Sequence, residues 1–316
     1  MNVILQGDAI EKLSEIEQGS VHTCITSPPY FGLRDYGKPG QIGLEETPGE
    51  YVEKLVEVFR AVRRVLRDDG TLWLNLGDSY NNGSTGGNGA TGGLHKSRLN
   101  GKMPPPGTTP TKRGIDPLLK RKDLIGIPWR VAFALQADGW YLRQDIIWNK
   151  PNAMPESVKD RCTKAHEYIF LLTKSPEYYF DADAIREPWV QRPNDIKRAS
   201  EKHEGYHGKH EGGANGNIKG QPVGDPSKGR NKRTVWTVTT KPYKGAHFAA
   251  FPPDLIEPCI LAGAPKGGIV LDPFFGSGTT GAVAIKNGRE YVGIELNPDY
   301  IRLAEERLSR VPSTLF

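Results

Sequence analysis

The chain has 316 residues, enough for one large α/β domain with insertions, and its net charge of +5 with 37% hydrophobic residues makes it mildly basic and rather polar. No apolar run is long enough to cross a bilayer, the first residues do not form a signal segment, and the three cysteines are too far apart for a disulfide framework or a metal site. We therefore expect a protein of the reducing cytoplasm with no membrane contact and no metal.

Apolar runs of strand length alternate with helical repeats along the chain. In the clearest helix, residues 48–67, apolar side chains recur every three or four positions, and Asn297 with Pro298 marks the start of the last helix. Strands are predicted at 3–5, 21–26, 71–76, 141–148, 166–173, 236–239, 268–271 and 289–294, and helices at 9–17, 48–67, 127–137, 253–262, 279–286 and 298–308. This alternation predicts an α/β fold, a Rossmann-like, mostly parallel sheet with helices on both faces.

Two irregular stretches interrupt this pattern, residues 79–122 and 183–235, both rich in Gly, Pro, Asn, Lys and Arg. Residues 79–122 contain eight Lys/Arg against one Asp/Glu, and residues 190–233 contain ten against five. Such local positive charge suits a phosphate backbone, although a solvated loop has the same composition. We therefore expect residues 1–182, with a flexible insert at 79–122, and residues 236–316 to form the two halves of one domain, separated by a recognition insert at 183–235.

The segment 272–280 predicts a ligand site at the end of a parallel strand. Asp272 ends a buried strand, glycines follow at 276 and 278, and Thr279-Thr280 begins a helix with unpaired amide groups. Glu295 ends the next strand, where an acidic residue can accept both hydroxyls of a ribose. No Gly-Lys-Ser/Thr follows and the strand ends in Asp-Pro-Phe, which argues against a triphosphate loop and against the dinucleotide fingerprint.

The segment Ser27-Pro28-Pro29-Tyr30 follows the predicted strand 21–26. Its two prolines end the strand and fix the backbone, with carbonyl groups pointing outward. An enzyme that modifies a base must take it out of the stack, and the extruded base needs a stacking ring and acceptors for its amine. Tyr30 offers the ring. The Ser27 hydroxyl and the Pro28 carbonyl offer two acceptors, which would draw the amine lone pair toward an electrophilic methyl group for direct displacement.

Together these segments resemble the amino-group DNA methyltransferases that use S-adenosylmethionine, in the permuted motif order usually called beta. In that order the reacting motif comes first, the cofactor motif last, and a variable recognition region lies between them. The resemblance covers most of the chain outside the two inserts. It includes Gly7-Asp8, Thr26 to Tyr30, residues 148–152, His166-Glu167, residues 247–252, Asp272 to Thr280 and Gly293 to Pro298.

The resemblance implies two groups of site residues and double-stranded DNA as the substrate. The target base is held by Ser27, Pro28, Pro29 and Tyr30. The cofactor S-adenosylmethionine is contacted by Asp8, His247, Phe248, Phe251, Asp272, Pro273, Phe274, Gly276, Ser277, Gly278, Thr279, Thr280 and Glu295. Basic charge and position, rather than the resemblance, predict the DNA contacts, with an ion pair of Arg34 and a solvated Lys150 as alternatives: Arg34, Lys150, Arg192, Lys197, Arg198, Arg230, Lys232 and Arg233.

Several alternatives stay open at this level. Ser27 stands where many relatives carry Asp or Asn, which favours N4 of cytosine over N6 of adenine; RNA or protein-amide methylation and a non-catalytic DNA-binding relic are the other hypotheses. Cytosine C5 chemistry needs a cysteine nucleophile, whereas the apolar pattern around Cys259 predicts a buried helical thiol. His203, His207 and His210 are interpreted as part of a solvated or DNA-facing loop. A cognate restriction endonuclease and either a monomer or a homodimer are compatible with the sequence.

Overall fold

The computed structural model of the protein describes residues 2–81, 118–188, 229–240 and 251–312. Contacts divide the chain into two units, residues 1–181 with 234–316, and residues 182–233. The strands are β1 (Val3–Gln6), β2 (Val21–Thr26), β3 (Leu66–Leu76), β4 (Tyr141–Asn149), β5 (His166–Thr173), β6 (Val235–Thr237), β7 (Ile269–Asp272) and β8 (Glu290–Glu295). The helices are α1 (Ala9–Ser14), α2 (Pro48–Val65), α3 (Ile127–Ala137), α4 (Pro253–Gly263), α5 (Thr279–Lys286) and α6 (Pro298–Ser309).

All eight strands form one sheet in the order β1-β8-β7-β2-β3-β5-β4-β6. Within the described ranges, β5 is antiparallel to its neighbours β3 and β4, and the other pairings are parallel. The prediction of a mostly parallel α/β sheet is therefore confirmed. Because β2 and β7 are adjacent and parallel, with Cys24 opposite Leu271, the loops that leave their carboxyl ends meet at one edge of the sheet.

The alternation of side chains along β3 shows how the helices cover both faces of the sheet. Leu72, Leu74 and Leu76 belong to the core that contains the buried stripe of α2. The intervening Thr71 and Trp73 lie against the opposite helix α4, since a Cβ on Gly263 would meet both side chains within 3 Å. Successive strand residues point to opposite faces, so α2 and α4 cover different sides.

Helix α2 begins where the sequence predicts and ends two residues early. The Thr47 hydroxyl accepts from the Glu50 amide, the Glu50 carboxylate accepts from the Thr47 amide, and Pro48 follows, so both signals of a helix start are present. At the other end Leu66 is already extended and pairs with Val21. Strand β3 therefore begins at Leu66 rather than at the predicted residue 71.

No helix in the part of the chain that the structure describes is long and apolar enough to span a membrane. Most of the predicted insert 79–122 and most of 183–235 lie outside the described residues, and so do His203, His207 and His210.

Candidate active site

A buried carboxylate joins the ends of β2 and β7. The side chain of Asp272 accepts a hydrogen bond from the Thr26 hydroxyl at 2.6 Å on one oxygen and from the Thr280 hydroxyl at 2.6 Å on the other. The amide of Phe274 also donates to it, at 3.0 Å. Burial raises the pKa of Asp272 to about 6, and the hydrogen bonds oppose that rise. This carboxylate thus connects the segment before Ser27 to the glycine turn.

A second carboxylate, Glu295, closes the neighbouring turn at the end of β8. One of its oxygens accepts from the Gly276 amide at 2.8 Å, and the other accepts from the Asn297 amide at 2.8 Å. Burial raises the pKa of Glu295 to about 7. The carbonyl of Glu295 accepts from the Gly7 amide at 3.1 Å, so the end of β1 and the following Asp8 lie at the same edge.

Asp8 has a structural contact of its own in this position. It is the N-cap of α1, and one of its oxygens accepts from the amides of Ile10 at 2.9 Å and Glu11 at 3.2 Å. The cap holds the Asp8 carboxylate at the start of α1, one residue after the Gly7 amide that donates to Glu295, and the resemblance implies that Asp8 contacts an adenine edge.

The turn between β7 and α5 brings main chain close to the space at the sheet edge. Gly276 and Gly278 have φ angles of 53° and 75°, in the left-handed region that glycine adopts at little cost. Between them, the hydroxyl of Ser277 is buried and has no hydrogen-bond partner in the described part of the chain. Buried polar atoms are nearly always paired, so the hydroxyl fits a polar ligand at this turn.

The two phenylalanines after Asp272 differ in their surroundings. Phe275 is buried, stacks on Tyr291 with ring centroids 5.5 Å apart, and fills the space where Gly293 lacks a side chain. Phe274 is only partly buried and lies at the edge of the core. Phe275 therefore serves core packing, and Phe274 is the one that remains near the turn.

Other predicted cofactor residues are placed as follows. Phe251 is buried immediately before α4, and Pro273 is buried in the turn. The Thr279 hydroxyl accepts a hydrogen bond from Arg307 of α6. His247 and Phe248 lie outside the described residues.

In the loop after β2, the carbonyl groups of the two prolines differ in their hydrogen bonding. The carbonyl of Pro29 accepts from the Tyr51 hydroxyl of α2 at 2.9 Å, so it points into the core. Within the described residues the carbonyl of Pro28 accepts no hydrogen bond. The Ser27 hydroxyl donates to the Tyr30 hydroxyl at 3.4 Å, a long contact. The open acceptors of the loop are thus the Pro28 carbonyl and the lone pairs of Ser27.

Tyr30 is fixed both at its hydroxyl and along its ring. The hydroxyl lies 2.7 Å from Glu167 Oε2 and 3.2 Å from Asn75 Oδ1. A Cβ on Gly77 would lie 2.5 Å from the Tyr30 ring, so the ring packs directly on the Gly77 backbone. Burial, with the Glu167 carboxylate, raises the pKa of Tyr30 well above its usual value, so the phenol keeps its proton.

The residues predicted to contact DNA fall into three groups. Lys150 is mostly buried, pairs with Glu167 and lies over the Trp148 ring, 4.2 Å from its centroid. Arg230 and Arg233 share the carboxylate of Glu187, at 3.3 and 3.0 Å. The third group consists of Arg34 and Lys232, which are both half-buried, and of Arg192, Lys197 and Arg198, which lie outside the described residues.

Three residues of this edge were missed by the sequence analysis as site residues: Asn75, Gly77 and Glu167. The signal for the first two was present, because a polar Asn and a Gly interrupt the apolar end of a strand whose carboxyl end faces the site. The partnership of Glu167 with Tyr30 carries no sequence signal, since the two are 137 positions apart.

Comparison with known proteins leads to the same class of enzyme. A family model described as DNA methylase matches residues 21–306. The type II methyltransferase M.Cfr9I of Citrobacter freundii is 49% identical over 305 residues, covering 96% of this chain and 87% of that protein. The type II methyltransferase M.SmaI of Serratia marcescens is 48% identical over 307 residues, covering 97% and 90%.

Solved structures agree on the fold. The PvuII DNA methyltransferase, cytosine-N4-specific, aligns with a TM-score of 0.62 at 17% identity, covering 100% of this chain and 88% of that one. A putative DNA modification methylase of Thermus thermophilus in complex with S-adenosyl-L-methionine aligns with a TM-score of 0.60 at 24% identity, covering 99% and 95%.

The fold and the two joined loops define a Rossmann-like methyl-transfer enzyme, as the resemblance implies. The chain belongs to the DNA methylase family, and it is an S-adenosylmethionine-dependent DNA methyltransferase of the class that modifies exocyclic amino groups.

Proposed function

We propose that this chain transfers the methyl group of S-adenosylmethionine to N4 of a cytosine that is flipped out of double-stranded DNA. The hydrogen bond between Thr26 and Asp272 carries this proposal, because it holds the acceptors of the reacting loop beside the glycine turn. Placing two reactants side by side is the main contribution that a direct displacement requires of a protein.

The amine of the target base would be held by two acceptors. In this proposal Ser27 Oγ and the Pro28 carbonyl each accept one of its hydrogens, and Tyr30 lines the pocket. S-adenosylmethionine supplies a methyl group on a positively charged sulfur. The amine lone pair would form the new N–C bond as the C–S bond breaks, sulfur would keep that electron pair, and the methylated amine would then release one proton to solvent.

The cofactor would be held by groups at the turn between β7 and α5 and at the end of β8. We propose that Ser277 and Phe274 line its methionine end with Gly276 and that Glu295 accepts from its ribose hydroxyls. Each carboxylate oxygen of Glu295 accepts one main-chain amide in the structure, and each has a further lone pair. The buried, unpartnered Ser277 hydroxyl supports a polar ligand at this turn.

The choice of cytosine N4 rests on Ser27, and the surroundings of Cys24 and Cys259 argue against either of them as the nucleophile of C5 chemistry. Cytosine and adenine present similar amine edges, and a neutral serine in this position is the family usage that favours N4. C5 methylation would need an accessible thiolate. Cys259 is buried inside α4, 1% exposed, and Cys24 is buried in β2, where burial raises the pKa of its thiol well above the usual value.

The DNA would meet basic residues after the reacting loop and in the insert. We propose contacts from Arg34 and from the segment containing Arg230, Lys232 and Arg233, where the single negative charge of Glu187 faces two guanidinium groups and leaves a net positive charge for phosphate. The site-specific methylation that this implies suits a partner of a cognate restriction endonuclease, acting in the cytoplasm as a monomer or a homodimer.

The test is a product analysis. The protein is incubated with mixed-sequence duplex DNA and S-adenosylmethionine, the DNA is digested to nucleosides, and the modified base is identified by mass spectrometry. N4-methylcytosine supports the proposal, and N6-methyladenine retains the displacement while contradicting the inference from Ser27. Cofactor binding without any modified nucleoside would favour an RNA or protein substrate, or a non-catalytic relic.

A further inference from the structure

We propose that Glu167, held by Lys150, is a positioning residue that directs the hydrogen bonds of Tyr30 and Ser27, so that Ser27 faces the target amine as an acceptor. This inference rests on the proposed function, because it assigns a task to the Ser27 lone pairs. Glu167 contacts neither the base nor the cofactor in this proposal, and it acts only through Tyr30.

The carboxylate of Glu167 lies at the start of β5 and collects three donors from three other elements. Tyr30 Oη approaches Oε2 at 2.7 Å, Asn75 Nδ2 approaches the same oxygen at 3.3 Å, and Lys150 pairs with Oε1. The side chains of Glu167 and Lys150 are only 16% and 18% exposed. Burying a charged carboxylate is costly unless it is ion-paired and hydrogen-bonded. The Glu167 carboxylate has both kinds of partner.

The number of protons on Tyr30 decides the direction of the chain of hydrogen bonds. A phenol carries one proton and two acceptor lone pairs, yet the Tyr30 oxygen has Glu167, Asn75 and Ser27 within hydrogen-bond distance. The proton goes to Glu167, because that contact is the shortest and its acceptor is charged. The amide nitrogen of Asn75 is oriented by Glu167 and by the carbonyl of Tyr168, at 3.0 Å.

The position of the Tyr30 proton also sets the orientation of the Ser27 hydroxyl. With its proton committed to Glu167, the Tyr30 oxygen is an acceptor toward Ser27, whose hydroxyl donates to it at 3.4 Å. A serine hydroxyl also has one proton, so its lone pairs then face away from Tyr30. A Ser27 that donated toward the base instead would oppose an amine that can only donate.

Lys150 fixes which end of the carboxylate accepts from Tyr30. An ammonium group can donate hydrogen bonds but cannot accept them. That of Lys150 lies over the Trp148 ring at the end of β4. It therefore occupies Oε1 and leaves Oε2 to Tyr30 and Asn75. Lys164 and His166 also interact electrostatically with the Glu167 charge.

The experiment is a double-mutant cycle on the full chain with Glu167→Gln and Tyr30→Phe. In Glu167→Gln the amide oxygen must face the Lys150 ammonium, so the amide nitrogen faces Tyr30 and cannot accept its proton. The methyl-transfer rate is measured in a single turnover from the preformed complex with DNA and S-adenosylmethionine, and the affinities for both are measured separately. Glu57→Gln is the matched control, because Glu57 forms an exposed ion pair with Lys54 on α2.

We expect Glu167→Gln to lower the single-turnover rate by roughly 10- to 100-fold, the range expected for a lost hydrogen bond to a charged group. Cofactor and DNA affinities should stay within about twofold of the wild type, since the loss falls on the chemical step. In the Tyr30→Phe background, where no phenol proton remains to be directed, Glu167→Gln should add little further loss.

Four outcomes contradict the inference. A Glu167→Gln rate equal to that of Glu57→Gln removes the need for the carboxylate, and additive losses in the cycle show that Glu167 acts independently of Tyr30. If Glu167→Gln fails to fold, Tyr30→Phe alone decides, and an unchanged rate in that variant overturns the inference. A wild type that modifies no nucleoside contradicts the proposed function and this inference with it, whereas an active wild type with an unaffected variant contradicts this inference alone.

Discussion

The two halves of the catalytic edge hold their polar groups in different ways. In the cofactor half, around β7 and β8, each carboxylate is held by a main-chain amide two positions away, Asp272 by that of Phe274 and Glu295 by that of Asn297, and the Thr26 hydroxyl is the one distant partner that joins Asp272 to the other half. In the reacting half, around β2 and β3, the contacts are between side chains far apart in the chain. Tyr30 reaches Glu167 across 137 positions.

Because of this difference, we expect substitutions in the two halves to have different effects. The carboxylates of the cofactor half shape the backbone, so a change there should affect both folding and cofactor binding. The side chains of the reacting half end in a small network that orients hydroxyl groups. If the two halves have separate tasks, a change there should slow the chemical step and leave the cofactor site intact.

Tyr30→Ala is the strongest test of that division. It removes the ring and the hydroxyl that Glu167 and Gly77 hold, so we expect methyl transfer to fall by on the order of 100-fold or more, the scale of a misplaced reacting group. S-adenosylmethionine affinity, measured by calorimetry, should be nearly unchanged, because the hydrogen bonds of Tyr30 go to Ser27, Asn75 and Glu167 and not to the glycine turn. An equal loss of methyl transfer and of cofactor binding would show that the two halves do not have separate tasks.

Gly77→Ala should give a smaller effect of the same kind. Its new Cβ would lie 2.5 Å from the Tyr30 ring, so the ring must shift while its chemistry stays intact. We expect a loss of transfer of roughly 10- to 100-fold, since a displacement of about 1 Å has that order of cost. The measurement is the single-turnover rate; Gly49→Ala, with nothing closer than 3.8 Å to its Cβ, is the control and should be near wild type.

Gly293→Ala is the counterpart in the cofactor half. A Cβ there would lie 2.4 Å from the Phe275 ring, and Phe275 directly precedes Gly276 in the turn. We expect a loss of stability of about 1–3 kcal/mol from overpacking, together with weaker cofactor binding. Thermal unfolding and calorimetry check both. Full cofactor affinity in a destabilised variant would show that the turn does not depend on this packing.

The same contrast explains which parts of the molecule the sequence predicts. The glycine turn, Asp272 and Glu295 lie at strand ends within one continuous segment, and local patterning is sufficient to identify such a segment. The helices and most strands were predicted within a few residues for the same reason. The helix α2 ended early because Leu66 pairs with Val21, and pairing between distant strands is invisible to helical periodicity.

Lys150 illustrates what local patterning misses. From the sequence, Lys150 either contacts phosphate or is a solvated surface lysine, and its partner Glu167, against which the structure has it mostly buried, is not indicated. The two side chains meet because β4 and β5 are antiparallel neighbours, with Trp148 opposite Glu167. A residue's partner across a sheet depends on register, which no single segment of sequence contains.

The smallest predicted effect is a pH dependence confined to the cofactor half. Burial raises the pKa of Glu295 to about 7, whereas the unfolded chain has it near 4.5, so the ligand-free protein loses stability from this group as the pH rises between those values. Ribose hydroxyls donate to the ionised carboxylate, so S-adenosylmethionine binding should tighten as the pH rises through about 7, by at most about 10-fold per unit. Calorimetry from about pH 6 to about 8.5 measures it.

Glu295→Gln decides whether this dependence belongs to the ribose site. The amide can still accept from a hydroxyl but does not titrate, so the midpoint near 7 should disappear, and any dependence that remains should follow Asp272, whose pKa is about 6. Glu167→Gln is the matched change in the reacting half, and it should leave the midpoint where it is. If it moved the midpoint as well, the carboxylates of the two halves would titrate as one system, and the separation drawn between them would fail.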